Sequence, residues 1–195
     1  QAMQEAVPQG RGAMAAILGL DEAEVTTACA QAAQGEICEA VNFNGPGQVV
    51  IAGHAGAVQR GMDAAKARGA KRAILLPVSA PFHSSLMAPA AARLRETLAQ
   101  ITVHAPRVPI IHNVDVKSHA EAEAIRKALV AQADHPVRWV ECVREMAARG
   151  VTHVFECGPG KVLAPLVRRT ADGLTGIALA DRAGLDNGTQ LSRGG

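Results

Sequence analysis

Ile37-Cys38-Glu39-Ala40-Val41-Asn42-Phe43, followed by Asn44-Gly45-Pro46-Gly47 and then Gln48-Val49-Val50-Ile51-Ala52, is the stretch whose reading decides the fold. Two runs rich in apolar and β-branched residues flank four residues of turn chemistry, which predicts a β-hairpin. On its N-terminal side, Val25, Ala28, Cys29 and Ala32 recur at helical spacing and Gly35 ends the helix. Asp21, with Glu24 three residues on, supplies the start signal of that helix, and Ala13 to Leu18 before it is an apolar strand. On the C-terminal side a second helix carries Val58, Met62 and Ala65 on one face, ends at Gly69, and leads into a strand from Arg72 to Val78. The order over residues 12–78 is βαββαβ, the ferredoxin-like unit of two helices on one face of a four-stranded antiparallel sheet.

Residues 79–181 follow a different rhythm. Helices are expected at Pro89 to Gln100, Ala120 to Ala133, Val137 to Ala148 and Val162 to Arg169, with strands at Val108 to Ile111, Val151 to Glu156 and Gly176 to Ala180. Apolar strands separated by helices imply a parallel sheet covered on both faces, so this part reads as the C-terminal half of an α/β large subdomain into which the βαββαβ unit is inserted. Residues 1–11 read as the end of a helix already under way, with no N-cap and no initiator Met, so the chain is expected to be truncated at its N-terminus. Residues 182–195, Gly-rich and polar, are expected to be a flexible tail.

Composition narrows the function classes. Of 195 residues 48% are hydrophobic but only 2% aromatic, with no Tyr, so packing must rely on Ala, Val, Leu and Ile. A formal charge of +2 without aromatic stacking platforms argues against nucleic acid. Cys29, Cys38, Cys142 and Cys157 lack Cys-x-x-Cys spacing and read as buried free thiols of a reducing cytoplasm, and no apolar run approaches a membrane span. Among seven histidines no pair has metal spacing on a helix beside a carboxylate, so neither a metal nor a cofactor is expected.

Candidate chemistry centres on Pro77-Val78-Ser79-Ala80-Pro81-Phe82-His83-Ser84-Ser85-Leu86-Met87, which sets His83 in a Pro- and Ser-punctuated loop, a position from which an imidazole works as a general base. A Gly-x-Ser-x-Gly elbow to present the nucleophile is absent. A hydrolase using Ser79, Ser84 or Ser85 fails on presentation, because a serine beside His83 in one loop lacks the strained strand-to-helix turn. Gly158-Pro159-Gly160-Lys161 completes neither a Walker loop nor Gly-x-Gly-x-x-Gly and reads as a tight strand-to-helix turn. Lys66, Arg68, Lys71 and Arg72 cluster around a helix end, either as a solvated terminus or as a landing site for phosphate or an acidic partner.

Taken together, Val41 to Gly53, the His83 segment and Glu156-Cys157-Gly158-Pro159-Gly160-Lys161-Val162-Leu163 resemble the malonyl-CoA:acyl-carrier-protein transacylase (acyltransferase domain) family from Met3 to about Ala180. That resemblance implies an α/β-hydrolase-like large subdomain with a ferredoxin-like small one. It also implies malonyl transfer from malonyl-CoA to the phosphopantetheine thiol of acyl carrier protein through an acyl-serine, in cytoplasmic fatty-acid biosynthesis. By it, His83 is the catalytic base and the backbone carbonyl of Gln132, in Gln132-Ala133-Asp134-His135-Pro136-Val137-Arg138-Trp139, orients the ring. Phe82, Lys71, Arg72, Asn42 and Asn44 are the implied substrate-binding residues, with Phe82 beside the acyl α-carbon and Lys71 and Arg72 near the mouth. The family's nucleophile serine, its carboxylate-binding Arg and its N-terminal oxyanion loop have no counterpart here, so the chain is expected to be inactive by itself. The alternative is a stand-alone ferredoxin-like ligand-binding or interaction module. Oligomeric state is not legible.

Overall fold

A computed structural model describes residues 2–8, 10–78 and 80–193. The chain divides into two compact units, Gln1–Trp139 and Val140–Gly195. In the first, a short helix α1 (Ala2–Glu5) precedes β1 (Gly12–Leu18), α2 (Glu22–Ala33), β2 (Cys38–Gly45), β3 (Gln48–His54), α3 (Ala55–Ala67) and β4 (Arg72–Leu75). The four strands pair antiparallel in the order β2-β3-β1-β4, so the β2–β3 hairpin lies at one edge and β4 at the other. Each start and stop has a local cause. Asp21 accepts the Glu24 backbone N–H at 2.8 Å to cap α2. Gln34 and Gly35, both left-handed at φ 46° and 87°, turn the chain out of that helix toward β2.

The expected helix faces are the buried ones. Val25, Ala28, Cys29 and Ala32 of α2 meet Ala57, Val58, Met62 and Ala65 of α3 over Ala15, Ile17, Cys38, Val49 and Ile51 of the sheet. The alternating residues Met14, Val41, Val50 and Ala52 form a second cluster on the opposite face, covered by Leu76 and Phe82 from the chain beyond β4. Packing on both faces along β1 to β3 explains the nearly continuous apolar run of β3, while Ile74 and Leu75 of the edge strand β4 stay exposed.

After a 3₁₀ turn (Ser85–Met87) come α4 (Ala88–Ala99) and α5 (Ala122–Asp134). Ala91 packs with Val130 and Ala133, flanked by Leu94 and Leu98. Arg126 of α5 ties the end of α4, donating from its guanidinium to the carbonyls of Leu98 at 3.0 Å and Ile101 at 2.8 Å. The strand expected at Val108 to Ile111 does not form; Ile111 makes one isolated antiparallel bridge with Ser118, while Val108 and Ile110 stand 69% and 51% exposed. Pro109 has no N–H to donate to a ladder, so the apolar pattern alone does not make a strand.

The second unit follows from α6 (Trp139–Ala148), which begins one residue before it, through β5 (His153–Glu156), α7 (Leu163–Thr170) and β6 (Thr175–Ala178) to α8 (Arg182–Arg193). β5 and β6 pair parallel, in register from His153 with Thr175 to Glu156 with Ala178. Of the segment expected as a flexible tail, residues 182–193 form the helix α8, capped by Asp181, whose carboxylate accepts the Gly184 N–H at 2.8 Å, and residues 194 and 195 lie outside the described residues. Its glycines are close-approach positions: a Cβ on Gly184 would stand 2.2 Å from the Ala178 carbonyl oxygen, and one on Gly188 2.7 Å from Leu179 Cδ2. They read as flexible in sequence because contact with β6 and the residues after it is a tertiary fact. Gly184→Ala is therefore expected to undock α8, at about 1–3 kcal/mol for an overpacked contact, and faster tryptic cleavage at Arg182 is the measurement that checks it.

Candidate active site

The loop after β4 is anchored before and after His83. Phe82 packs into the cluster of Met14, Val41, Val50 and Ala52 and also touches that of Val7, Ala80 and Met87. Ser84 is fully buried, its hydroxyl donating to the Pro81 carbonyl at 2.6 Å. Ser85 donates from its N–H and its hydroxyl to the two oxygens of Glu39 on β2, both at 2.8 Å. Pro81 itself lies on Gly12, where a Cβ would meet the proline ring at 2.4 Å. Held at these points, His83 adopts a left-handed backbone with φ 63°, uncommon for a residue with a Cβ and sustained only because its neighbours over-determine it.

The half-buried ring of His83 points Nδ1 at the Gln132 backbone carbonyl, 2.8 Å away. A carbonyl only accepts, so Nδ1 carries a proton, and in the neutral ring the lone pair is then on Nε2, the arrangement a general base needs. Gln132 sits in the last turn of α5, and the N–H that would take its carbonyl in a continuing helix belongs to position 136, which is proline. Pro136 also confines His135 to an extended backbone, φ −126° and ψ 160°, so the helix stops and the carbonyl stays available. Beyond it Val137 exchanges backbone bonds with β2, donating to Val41 at 2.8 Å and accepting from Phe43 at 2.9 Å, and Arg138 donates to the Asn113 carbonyl at 3.0 Å. The end of α5 is thus clamped between the sheet edge and the turn at Asn113.

The other expected site residues divide. Asn42 lies on β2 opposite Val137, on the edge strand that carries the clamp. Asn44 falls at a register shift of the same strand, between Phe43 and Gly45. Lys71 and Arg72 are exposed at the start of β4, the opposite edge, about 14 Å from β2 across three strand spacings. Of the basic cluster, Arg68 is paired with Glu24, and Lys66 approaches Asp63 at 3.9 Å. Ser84 and Ser85 spend their hydroxyls on Pro81 and Glu39, and Ser79 lies outside the described residues. Cys29, Cys38 and Cys142 are buried and outside any disulfide, as expected, whereas Cys157 is exposed just past the end of β5. Glu39 and Pro136 were missed as site residues; a proline four residues after Gln132 was the signal available for the second.

Gly158 to Lys161 is no phosphate loop, since the start of α7 already has its anion. The Glu156 carboxylate accepts the N–H groups of Val162 at 3.0 Å and Ala164 at 2.9 Å. Hydrogen bonds from the Leu163 and Ala164 amides, then Val162, hold the Glu156 carboxyl below its ordinary pKa. Among the described residues there is no metal-binding cluster and no helix long and apolar enough to cross a membrane.

With this arrangement in view, comparison with known proteins gives the class: residues 1–190 match the Acyl transferase domain, and the chain belongs to that family. Among its relatives, the malonyl CoA-acyl carrier protein transacylase of Escherichia coli K12 is 54% identical over 189 residues, 97% of this chain and 61% of the relative. The crystal structure of the acyl-carrier-protein S-malonyltransferase of Burkholderia pseudomallei superimposes with a TM-score of 0.95 at 54% identity, covering 97% of this chain and 62% of that one. A malonyl-transacylase solved in complex with its type II PKS acyl-carrier protein matches with a TM-score of 0.95 at 49% identity, covering 97% and 62%. The chain therefore spans about three-fifths of the length of the relatives it matches.

The lowered pKa of Glu156 has a testable sign. Its ionised form favours the folded state above the ordinary carboxyl range, and that advantage is lost as pH falls through the lower folded value. Glu156→Gln is expected to lower the melting temperature of the second unit by a few degrees at pH 7, with the gap to wild type closing on acidification. Differential scanning calorimetry across pH 3 to 7 checks both the drop and its disappearance.

Proposed function

We propose that this chain supplies the base and its orienting carbonyl for malonyl transfer from malonyl-CoA to acyl carrier protein, as the names of its relatives suggest. The observation that carries the reading is the 2.8 Å contact between His83 Nδ1 and the Gln132 carbonyl. In that reading Nε2 of His83 takes the proton of a serine hydroxyl as the serine oxygen attacks the thioester carbonyl of malonyl-CoA. The oxyanion collapses, the carbon–sulfur bond breaks, and the CoA sulfur leaves with the proton returned from the imidazolium. The phosphopantetheine thiol then reverses the sequence: it loses its proton to His83, attacks the malonyl-serine ester, and the serine oxygen regains a proton. Here a neutral carbonyl takes the place of the carboxylate of the usual triad.

The serine belongs to a Gly-x-Ser-x-Gly elbow that these 195 residues do not contain. The same reading makes residues 12–78 a ferredoxin-like unit set into an α/β-hydrolase-like body; the β2-β3-β1-β4 order and the parallel β5–β6 pair support it. A stand-alone module at residues 12–78 draws no support from a family match that runs through both units. Lys71 and Arg72 remain candidates for CoA phosphates or the acidic carrier, and Asn42 and Asn44 for substrate on the strand that carries the clamp.

The 195-residue protein alone is expected to transfer no malonate from malonyl-CoA to carrier protein. Joined to the N-terminal segment of the Escherichia coli relative that it does not cover, it should transfer, and His83→Ala in the joined protein should lower kcat on the order of a thousandfold. Transfer that survives His83→Ala would refute the assignment.

Acyl selectivity is a separate expectation, carried by Phe82. A planar ring beside the α-carbon crowds an added methyl, worth roughly 1–3 kcal/mol or about 10- to 200-fold. In the joined protein Phe82→Ser is expected to raise kcat/KM for methylmalonyl-CoA relative to malonyl-CoA. An unmoved ratio would reduce Phe82 to the packing role it has against Met14, Val41, Val50 and Ala52.

A further inference from the structure

His112 is buried, at 5% exposure, in the turn between the exposed Val108–Ile110 run and α5. Its backbone closes that turn from both ends: its N–H donates to the Lys117 carbonyl and its carbonyl accepts from Val116, both at 2.9 Å. Val116 has a left-handed backbone at φ 59°, strained for a β-branched residue, so the turn is held against a local preference. The imidazole faces Gln132, whose side-chain nitrogen lies 3.2 Å from His112 Nδ1 and 3.3 Å from the Ala128 carbonyl. Because the Ala128 carbonyl can only accept, the amide NH₂ faces both partners, and His112 Nδ1 must be the acceptor.

That role needs a neutral ring, which the surroundings favour. Burial and the neighbouring His119 push the His112 pKa down, against a smaller opposing pull from Asp115. His119 lies against His112 with ring centroids 5.3 Å apart and planes tilted by 45°, and is held by Asp115 at 2.7 Å. A buried imidazole costs desolvation that an apolar residue at the same place would avoid, and its hydrogen bond to Gln132 offsets part of that cost.

We infer that His112 is a positioning residue, which grips the side chain of Gln132 and so keeps its backbone carbonyl aimed at the His83 ring. The physical reason lies in the ending of α5. Pro136 leaves the final turn without its closing helical bond, and a turn so released frays unless tertiary contacts hold it. Gln132 is held from two sides, by its carbonyl on His83 and its amide on His112. The inference rests on the reading of His83 as a base with its proton on Nδ1.

Imidazole ¹H–¹⁵N spectra of the 195-residue protein test the two separately, with wild type, His112→Leu, His112→Asn and Gln132→Leu. Wild type should show His83 with Nδ1–H as the dominant tautomer; a dominant Nε2–H form would overturn the base–carbonyl reading itself. Given that form in wild type, His112→Leu should lose it as the dominant state, while His112→Asn, whose amide oxygen can accept from Gln132, should retain it. Gln132→Leu keeps the carbonyl but removes the gripped amide, so it should behave like His112→Leu, and it decides the matter if His112→Leu does not fold. A His83 tautomer unchanged in Gln132→Leu, or lost equally in His112→Asn and His112→Leu, would overturn the positioning role.

Discussion

The arrangement around His83 depends on a carbonyl that the helix does not use. A backbone C=O near a helix C-terminus is a strong acceptor at the negative end of the helix dipole, and at Gln132 the residue that would have satisfied it is Pro136. His83 supplies the donor, 2.8 Å away. The pair satisfies an orphan acceptor and fixes an imidazole tautomer with one bond, and neither partner needs to be charged. In the proposed reading His83 becomes an imidazolium and then returns, and a dipolar carbonyl stabilises that cation less than a carboxylate would.

Much of the first unit exists to hold the two ends of that bond. Phe82 pins the His83 loop to the face of the sheet opposite the two helices, and Glu39 pins the next turn through Ser85. Val137, bonded to Val41 and Phe43, fastens the segment after α5 to the edge strand β2. Both anchors converge on β2, so a shift of that strand would move His83 and the Gln132 carbonyl together. This gives the Val41–Phe43 region a mechanical role distinct from any contact with substrate.

Legibility varied with the range of the interaction that decides each feature. The βαββαβ order, the Asp21 cap, the buried faces of α2 and α3 and the parallel β5–β6 pair are consequences of local chemistry and period, and they were readable. Val108 to Ile111 was misread because apolar pattern does not supply a pairing neighbour or restore the donor that Pro109 lacks. The tail was misread because Gly184 and Gly188 look like flexibility until they are seen against Ala178 and Leu179. At the site, the loop context of His83 was readable but its partner was supplied by resemblance, although Pro136 marked the free carbonyl in plain sight.

The sequence by itself determined the order of elements, the aliphatic character of the core and the absence of an elbow serine within these residues, because each depends on residue type and near-neighbour spacing. Only the tertiary structure decided that His83, 49 positions before Gln132, faces its carbonyl, that His112 reaches the same residue from a third segment, and that Lys71 and Arg72 occupy the edge of the sheet away from β2. Those are distances between segments whose separation along the chain carries no information about their separation in space. They are set by the packing of two sheet faces and by where a proline ends a helix.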